Sequence, residues 1–276
     1  MNQSHILIIE PGLAQRHYWR DLWRYRELFY VLAWRDISVR YKQTIIGLAW
    51  ALIRPFLSMV AFTVVFGKIA KLPSEGAAPY ALMVFAGLLP WQFFSTALSE
   101  SSNSVLGNAN LISKVYFPRI VVPTATIAVS LVDFCISLCI LFVLMAWYQF
   151  TPGWGILALP AFLALAFLAS IGPALWISAV NVKYRDLRYV IPFLVQFGLY
   201  VSPVGFSSSI VPAEWRLLYS LNPMVGIIDG FRWCLLNGQS ELFLPSVVIS
   251  CLVTAVFLWL GVRRFRSMEN EFADFI

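Results

Sequence analysis

The sequence predicts an all-α integral membrane protein with six transmembrane helices, an N-terminal interfacial helix and two short re-entrant helices before the last span. Three observations carry this. Hydrophobic residues make up 60% of the chain and charged residues only 12%, against about 25% charged in ordinary globular domains. Apolar runs near the ~20 residues needed to cross a hydrocarbon core recur along the chain. The basic residues collect on alternate sides of those runs, so the net charge of +6 reflects topology. No nucleic acid is expected as a partner.

Residues 1–44 form a cytoplasmic N-terminal segment. Trp19, Trp23, Trp34, Tyr18, Tyr25 and Tyr30 interleave there with Arg16, Arg20, Arg24, Arg26, Arg35 and Arg40. Its apolar core, residues 28–34, is far too short to span, and dense Trp and Tyr beside Arg is what the membrane–water interface favours. A helix lying on the membrane is expected. The start lacks a basic n-region and residues 6–9 are too short for an h-region, so no signal peptide is expected.

The membrane-spanning body occupies residues 45–262. Its first span, 45–66, carries Arg54-Pro55, a charge and a kink inside an apolar run. The loop after it holds Lys68, Lys71 and Glu75. The second span, 80–98, is expected to break at Pro90-Trp91. The third, 120–147, carries Asp133 near its centre. In the fourth, 156–180, Ala166, Ser170, Ala174 and Ser178 recur every four residues, a small-residue stripe that lets another helix approach closely. A short basic loop precedes the fifth span, 189–206. Residues 207–244 hold two apolar pieces, 213–221 and 224–236, each too short to cross. Between them Asn222 reads as an N-cap and Pro223 as the first helical residue. The sixth span is 245–262, and 263–276 is a tail that is basic, then acidic.

With both termini on one side, that side holds 15 Lys and Arg; the other holds Lys68, Lys71, Arg216 and Arg232. Both termini are therefore expected in the cytoplasm, and the two short helices outside. The loop Asn110-Leu-Ile-Ser-Lys-Val-Tyr-Phe-Pro-Arg119 then faces the cytoplasm. In it Leu111, Val115 and Ile112, Tyr116 fall at i, i+4 on a short helix, stopped by Pro118. An exposed helix carrying Leu, Ile, Lys114, Val and Tyr fits either a covering protein or the lipid headgroups.

Chemistry-bearing groups are sparse. The one Gly-Lys pair, Gly67-Lys68, is followed by Ile69, so no P-loop exists to cradle phosphates. His5 and His17 have no obvious partner. Cys135 and Cys139 fall in one run, Cys251 in another and Cys234 outside, which makes neither a disulfide framework nor a metal site. No catalytic residue is expected, and no cofactor on this chain. Asp133 is the costliest residue in the bilayer, at about 2.5–3.5 kcal/mol on insertion scales. It reads either as an ion relay or as a carboxyl bonded to polar neighbours, with Arg54, Ser130 and Ser137 as candidates. Asp229 and Arg232, at i, i+3 on the helix begun by Pro223, are expected to pair on one face. In the fifth span Phe193, Phe197 and Tyr200 share a face bordered by Gln196. That face reads either as packing or, because an amide facing lipid would be left unsatisfied, as the wall of a water-filled path.

Several motifs in series carry a resemblance. Tyr41-Lys-Gln-Thr44 leading to Gly47-Leu-Ala-Trp50 and Pro55, Gly87-Leu-Leu-Pro-Trp-Gln-Phe-Phe94, and Asn110 to Pro118 resemble an ABC-2 type permease. So do Tyr184-Arg-Asp186, Tyr200-Val-Ser-Pro203 and Asn222-Pro223 with Arg232. The pattern is most similar to the branch that exports lipid-linked polysaccharide. That resemblance implies a homodimer in the cytoplasmic (inner) membrane with two copies of a separate ATPase, which would bind ATP and Mg. It also implies a coupling helix at Asn110–Tyr116 and outer gate helices around Asn222–Arg232. A permease for a drug or another lipid is the alternative. An ion-coupled transporter would need intramembrane ionisable clusters and inverted repeats, and neither is visible.

Overall fold

The computed structural model describes residues 18–42, 45–184, 186–238 and 240–272. His5, His17, Gln43, Thr44 and Arg185 lie outside the described residues. Of the described residues 82% are helical, and among them five helices are long and apolar enough to cross a membrane.

Chain order gives α1 (Tyr18–Arg24), α2 (Arg26–Lys42) and α3 (Ile45–Phe62), which runs on as a π-helical turn over Thr63–Ile69. Next come α4 (Tyr80–Gly107), α5 (Ala109–Lys114), α6 (Val121–Trp147) and α7 (Leu159–Lys183). Then follow α8 (Leu187–Val201), α9 (Ala213–Tyr219), α10 (Pro223–Leu235) and α11 (Leu244–Met268).

The bundle is built around α4, which packs on α6, α7, α10, α3 and α8. Pro90 does not break it: the helix is continuous past Leu98 to Gly107. A buried proline in a helix costs one hydrogen bond, which tight packing on both sides offsets. The small-residue stripe of α7 is fully buried, Ala166, Ser170, Ala174 and Ser178 all at 0% exposure. On another face of α7 the helix crosses α11 at Gly172 and Gly261. A Cβ on Gly172 would lie 2.5 Å from the backbone of Phe257, so only glycine admits this approach.

The fifth predicted span departs most from expectation. Its helix, α8, has 15 residues and ends at Val201. Residues 202–207 are buried or half-buried turns instead of helix. The N-terminal helix also differs from one lying alone on the membrane. Leu32 and Ala33 of α2 are buried in a cluster with Val121, Val122, Ala125 and Val129 of α6. α2 is inclined as well: Arg35 reaches Asn108 (2.9 Å), while Arg40 reaches Glu100 (3.1 Å), two turns further along α4.

Candidate functional sites

The loop between α4 and α6 is a built surface. Asn108 ends α4, and its carbonyl accepts from the amides of Leu111 and Ile112 (3.0 Å each), which starts α5. That helix stops at Lys114, earlier than the i, i+4 pairing required. Val115 closes the last turn by donating its amide to Leu111 O (3.0 Å) but is itself extended (φ −125°, ψ 133°), so Tyr116 lies beyond the helix and is not a helical partner of Ile112. The cause is Phe117, which is buried in the cluster beneath; Pro118 bars it from helical conformation. Ile112 is likewise buried and Leu111 half-buried, so neither belongs to an exposed knob. What the loop presents is Asn110, Ser113, Lys114, Val115 and Tyr116, with Val115 49% and Tyr116 52% exposed.

The far side of this loop is clamped to the end of α11. The Arg119 amide donates to Glu269 Oε1 (2.6 Å) and its guanidinium donates to the Glu269 carbonyl. Arg266 sits over the Tyr18 ring (4.6 Å), and Phe265 meets Phe272 edge to face. Burial holds the Glu269 carboxyl above its ordinary value, against the lowering effect of the Arg119 amide. Nothing in the sequence pairs residues 150 positions apart, so this clamp was not legible.

At the opposite end of α4 lies a buried arginine. Arg232 on α10 is fully buried. Its Nη2 donates to Val204 O (2.9 Å), Nη1 to Phe206 O (2.9 Å) and Nε to Met83 O (3.3 Å). Its ion pair is with Glu75 (3.4 Å), not with Asp229. The expected exposed Asp229–Arg232 pair is therefore corrected on two counts: Asp229 is also buried, and one of its carboxylate oxygens has no partner among the described residues. The arginine points away because the unwound stretch after α8 offers backbone carbonyls that hydrocarbon cannot solvate. Other groups complete that cover. Tyr219 hydroxyl donates to Val201 O (2.8 Å) and Tyr80 hydroxyl to Gly205 O. Asn222 caps α10 through Met224 N (3.0 Å), as expected, with Pro223 in its first turn; the Asn222 amide also donates to Ser202 Oγ (2.9 Å). Gly87 makes room for the guanidinium, since a Cβ there would stand 3.0 Å from Nη2.

Asp133 is bonded on both oxygens. Arg40 donates to Oδ2 (2.6 Å) and the Tyr41 hydroxyl to Oδ1. Arg54 is not its partner: it is exposed and makes no ion pair among the described residues. The anchor comes from α2, which sequence reasoning had placed on the membrane surface. Arg40 lay just before a recognised motif, but nothing in the sequence indicated that it reaches Asp133, 93 positions away.

The α8 stripe is present as a surface. Phe193, Phe197 and Tyr200 are 68%, 59% and 58% exposed. Phe193 and Phe197 stack (6.4 Å), and the Gln196 amide donates to Tyr200 hydroxyl (3.2 Å). Gln196 thus satisfies part of its amide within the stripe. No described residue covers this face.

An all-helical bundle with several spans, a rigid exposed loop and a short, unwound span is the anatomy of a multi-pass membrane transport subunit. The chain belongs to the ABC-2 type transporter family, whose profile matches residues 27–236. It is a permease subunit, and ATP hydrolysis lies in a separate protein. It is 27% identical over 93% of its length to the O-antigen export system permease protein RfbA of Myxococcus xanthus, covering 98% of that protein. A protein of the same name from Klebsiella pneumoniae is 26% identical over 91% of this chain and 95% of its own. Family membership also sets aside an ion-coupled secondary transporter.

Proposed function

We propose that the chain is the membrane subunit of an exporter that moves lipid-linked, O-antigen-like polysaccharide outward across the cytoplasmic membrane. It works as a homodimer with two ATPase subunits, which bind ATP and Mg, and both of its termini face the cytoplasm. The observation that carries this is similarity along nearly the whole chain to permeases named for O-antigen export. Val115 and Tyr116, with Asn110 and Lys114, are the ATPase-docking surface, held by buried Ile112 and Phe117 and by the Arg119–Glu269 clamp. The exposed faces of α3 and α8, including Phe193, Gln196, Phe197 and Tyr200, turn toward the second subunit and the path between them. α9 and α10 stand at the outer gate, where Asn222, Pro223 and Arg232 fix the geometry.

The experiment is deletion of the gene and complementation. Loss of surface polysaccharide with intracellular accumulation of its lipid-linked form is expected, and the wild-type chain restores export. Val115→Asp with Tyr116→Asp inserts normally but fails to retain the ATPase on co-purification. Normal surface polymer in the deletion strain refutes the substrate; normal ATPase retention by the double variant refutes the docking surface.

A further inference from the structure

Between α2, α3, α4 and α6 lies a cavity of about 310 Å³, at the lower end of the range of small-ligand pockets. We propose that it is a sugar-binding subsite, which holds a sugar ring of the exported glycan by hydroxyl hydrogen bonds and aromatic contact. This rests on the polysaccharide reading above, and adds a place on this chain where the glycan is held.

Three features of the wall point to a ligand. Ser130 lines the cavity, is 1% exposed, and its Oγ has no hydrogen-bond partner. A buried hydroxyl left unpaired is disfavoured, so a group entering the cavity supplies what the protein does not. The Gln92 amide and Thr96 hydroxyl, both half-buried on the α4 wall, also make no side-chain hydrogen bond among the described residues. Arg54 on α3 lines the same space. A guanidinium inside an apolar span with no carboxylate partner marks a polar path, since a lipid-facing cation is costly.

Charge selects the class of ligand. Arg40 and Arg54 are equalled in number by Glu100 and Asp133, all four lining the cavity, so their formal charges sum to zero although Arg54 makes no ion pair among the described residues. Arg40 already serves both carboxylates, at 3.1 Å and 2.6 Å. The site therefore carries no net positive charge with which to hold a phosphate. What it offers is a mixture of donors and acceptors beside an aromatic face, the Trp50 indole, 60% exposed on the α3 side. Sugar hydroxyls both donate and accept, and their ring CH groups lie on aromatic faces. Asp133 is not free to relay ions, because Arg40 and Tyr41 occupy both of its oxygens.

The test uses the full permease–ATPase complex in cells that make the polymer from tritiated sugar. A photo-reactive phenylalanine analogue is placed at Gln92, at Thr96, at Phe197 on α8, and at Val143, a 70%-exposed control on α6. Illumination should attach tritium to the chain from Gln92 or Thr96 and not from Val143. Label from Phe197 alone, or equal label from Val143, overturns the subsite while leaving polysaccharide export standing. Label from no position, with surface polymer intact in the deletion strain, shows that the export reading itself has failed. A second measurement avoids the bulky analogue. In proteoliposomes, Gln92→Leu with Ser130→Ala should raise the concentration of extracted polymer-bearing lipid needed for half-maximal ATPase stimulation, roughly five-fold per lost hydrogen bond. An unchanged half-maximal concentration means that the cavity holds water only, and the proposal falls.

Discussion

Replacing Arg232 by Met keeps most of the side chain's volume and removes the guanidinium. Met83 O, inside α4, then loses one of its donors, and two carbonyls of the unwound stretch, on Val204 and Phe206, lose the only donor described for them. Each costs about 1–3 kcal/mol when left unpaired in the interior. Glu75, whose side chain is 10% exposed, is left as an uncompensated carboxylate, which adds about 3–5 kcal/mol where a buried pair is broken. The combined loss, roughly 5–11 kcal/mol, is comparable to the whole stability of an ordinary domain. Arg232→Met should therefore accumulate poorly, and its unfolding midpoint in detergent should fall by more than about 10 °C. Adding Glu75→Gln removes the stranded charge and should recover a few degrees without restoring the carbonyls. A midpoint within about 2 °C of the parent would refute the reasoning, because it would mean that water already reaches the turn after α8.

The Arg40 network gives an asymmetric prediction: Asp133→Asn leaves Arg40 paired with Glu100, whereas Arg40→Leu strands two carboxylates. Because the Asp133 side chain is 29% and that of Glu100 50% exposed, the first should cost about 1 kcal/mol and the second about 2 kcal/mol, compared by thermal unfolding in one detergent. For Glu269, burial raises the carboxyl above 4.5, so the folded state binds that proton more tightly than the unfolded one. Its contribution is then fully present below about pH 4.5 and is lost as the pH rises through the folded-state value. Glu269→Gln should flatten this part of a stability–pH profile; an unchanged profile would show that Glu269 is not its source. Replacing Phe197 and Tyr200 by Leu keeps the stripe apolar and removes its rings. Export should fall while ATPase retention is unaffected, and export at the parental rate would assign the stripe to packing.

Fold class and element order were legible because they depend on run length and local caps. Asn222-Pro223 marked the start of α10, and the α7 stripe marked a buried face, since both signals lie within a few residues. Span length was less legible. Hydropathy continues through Val201, Val204 and Phe206, so α8 looked long enough to cross, but its last part is held by Arg232, Tyr219 and Tyr80 from elsewhere in the chain. The polar partnerships failed for the same reason. Spacing nominated Asp229 for Arg232, and Arg54, Ser130 and Ser137 were the candidates for Asp133, whereas the true partners, Glu75 and Arg40, are 157 and 93 positions away. Local periodicity carries no information about such pairs. In the loop, helical spacing of Leu111 with Val115 was real, but burial of Phe117 decided the backbone.

What joins these separated sites is α4. At 1.5 Å per residue its 28 residues extend about 42 Å, longer than the ~30 Å hydrocarbon core. One end carries Asn108, held by Arg35 beside the exposed loop. Two turns along, Glu100 meets Arg40, and with it Asp133. At the other end Gly87 and the Met83 carbonyl receive Arg232, which also holds the turn after α8. Its residues from Ala81 to Trp91 are almost all buried, so this part has little freedom to bend. The same geometry explains why charged residues appear on α4's partners at three levels along its length. Each fixes one level of a helix too long to be held by apolar packing alone.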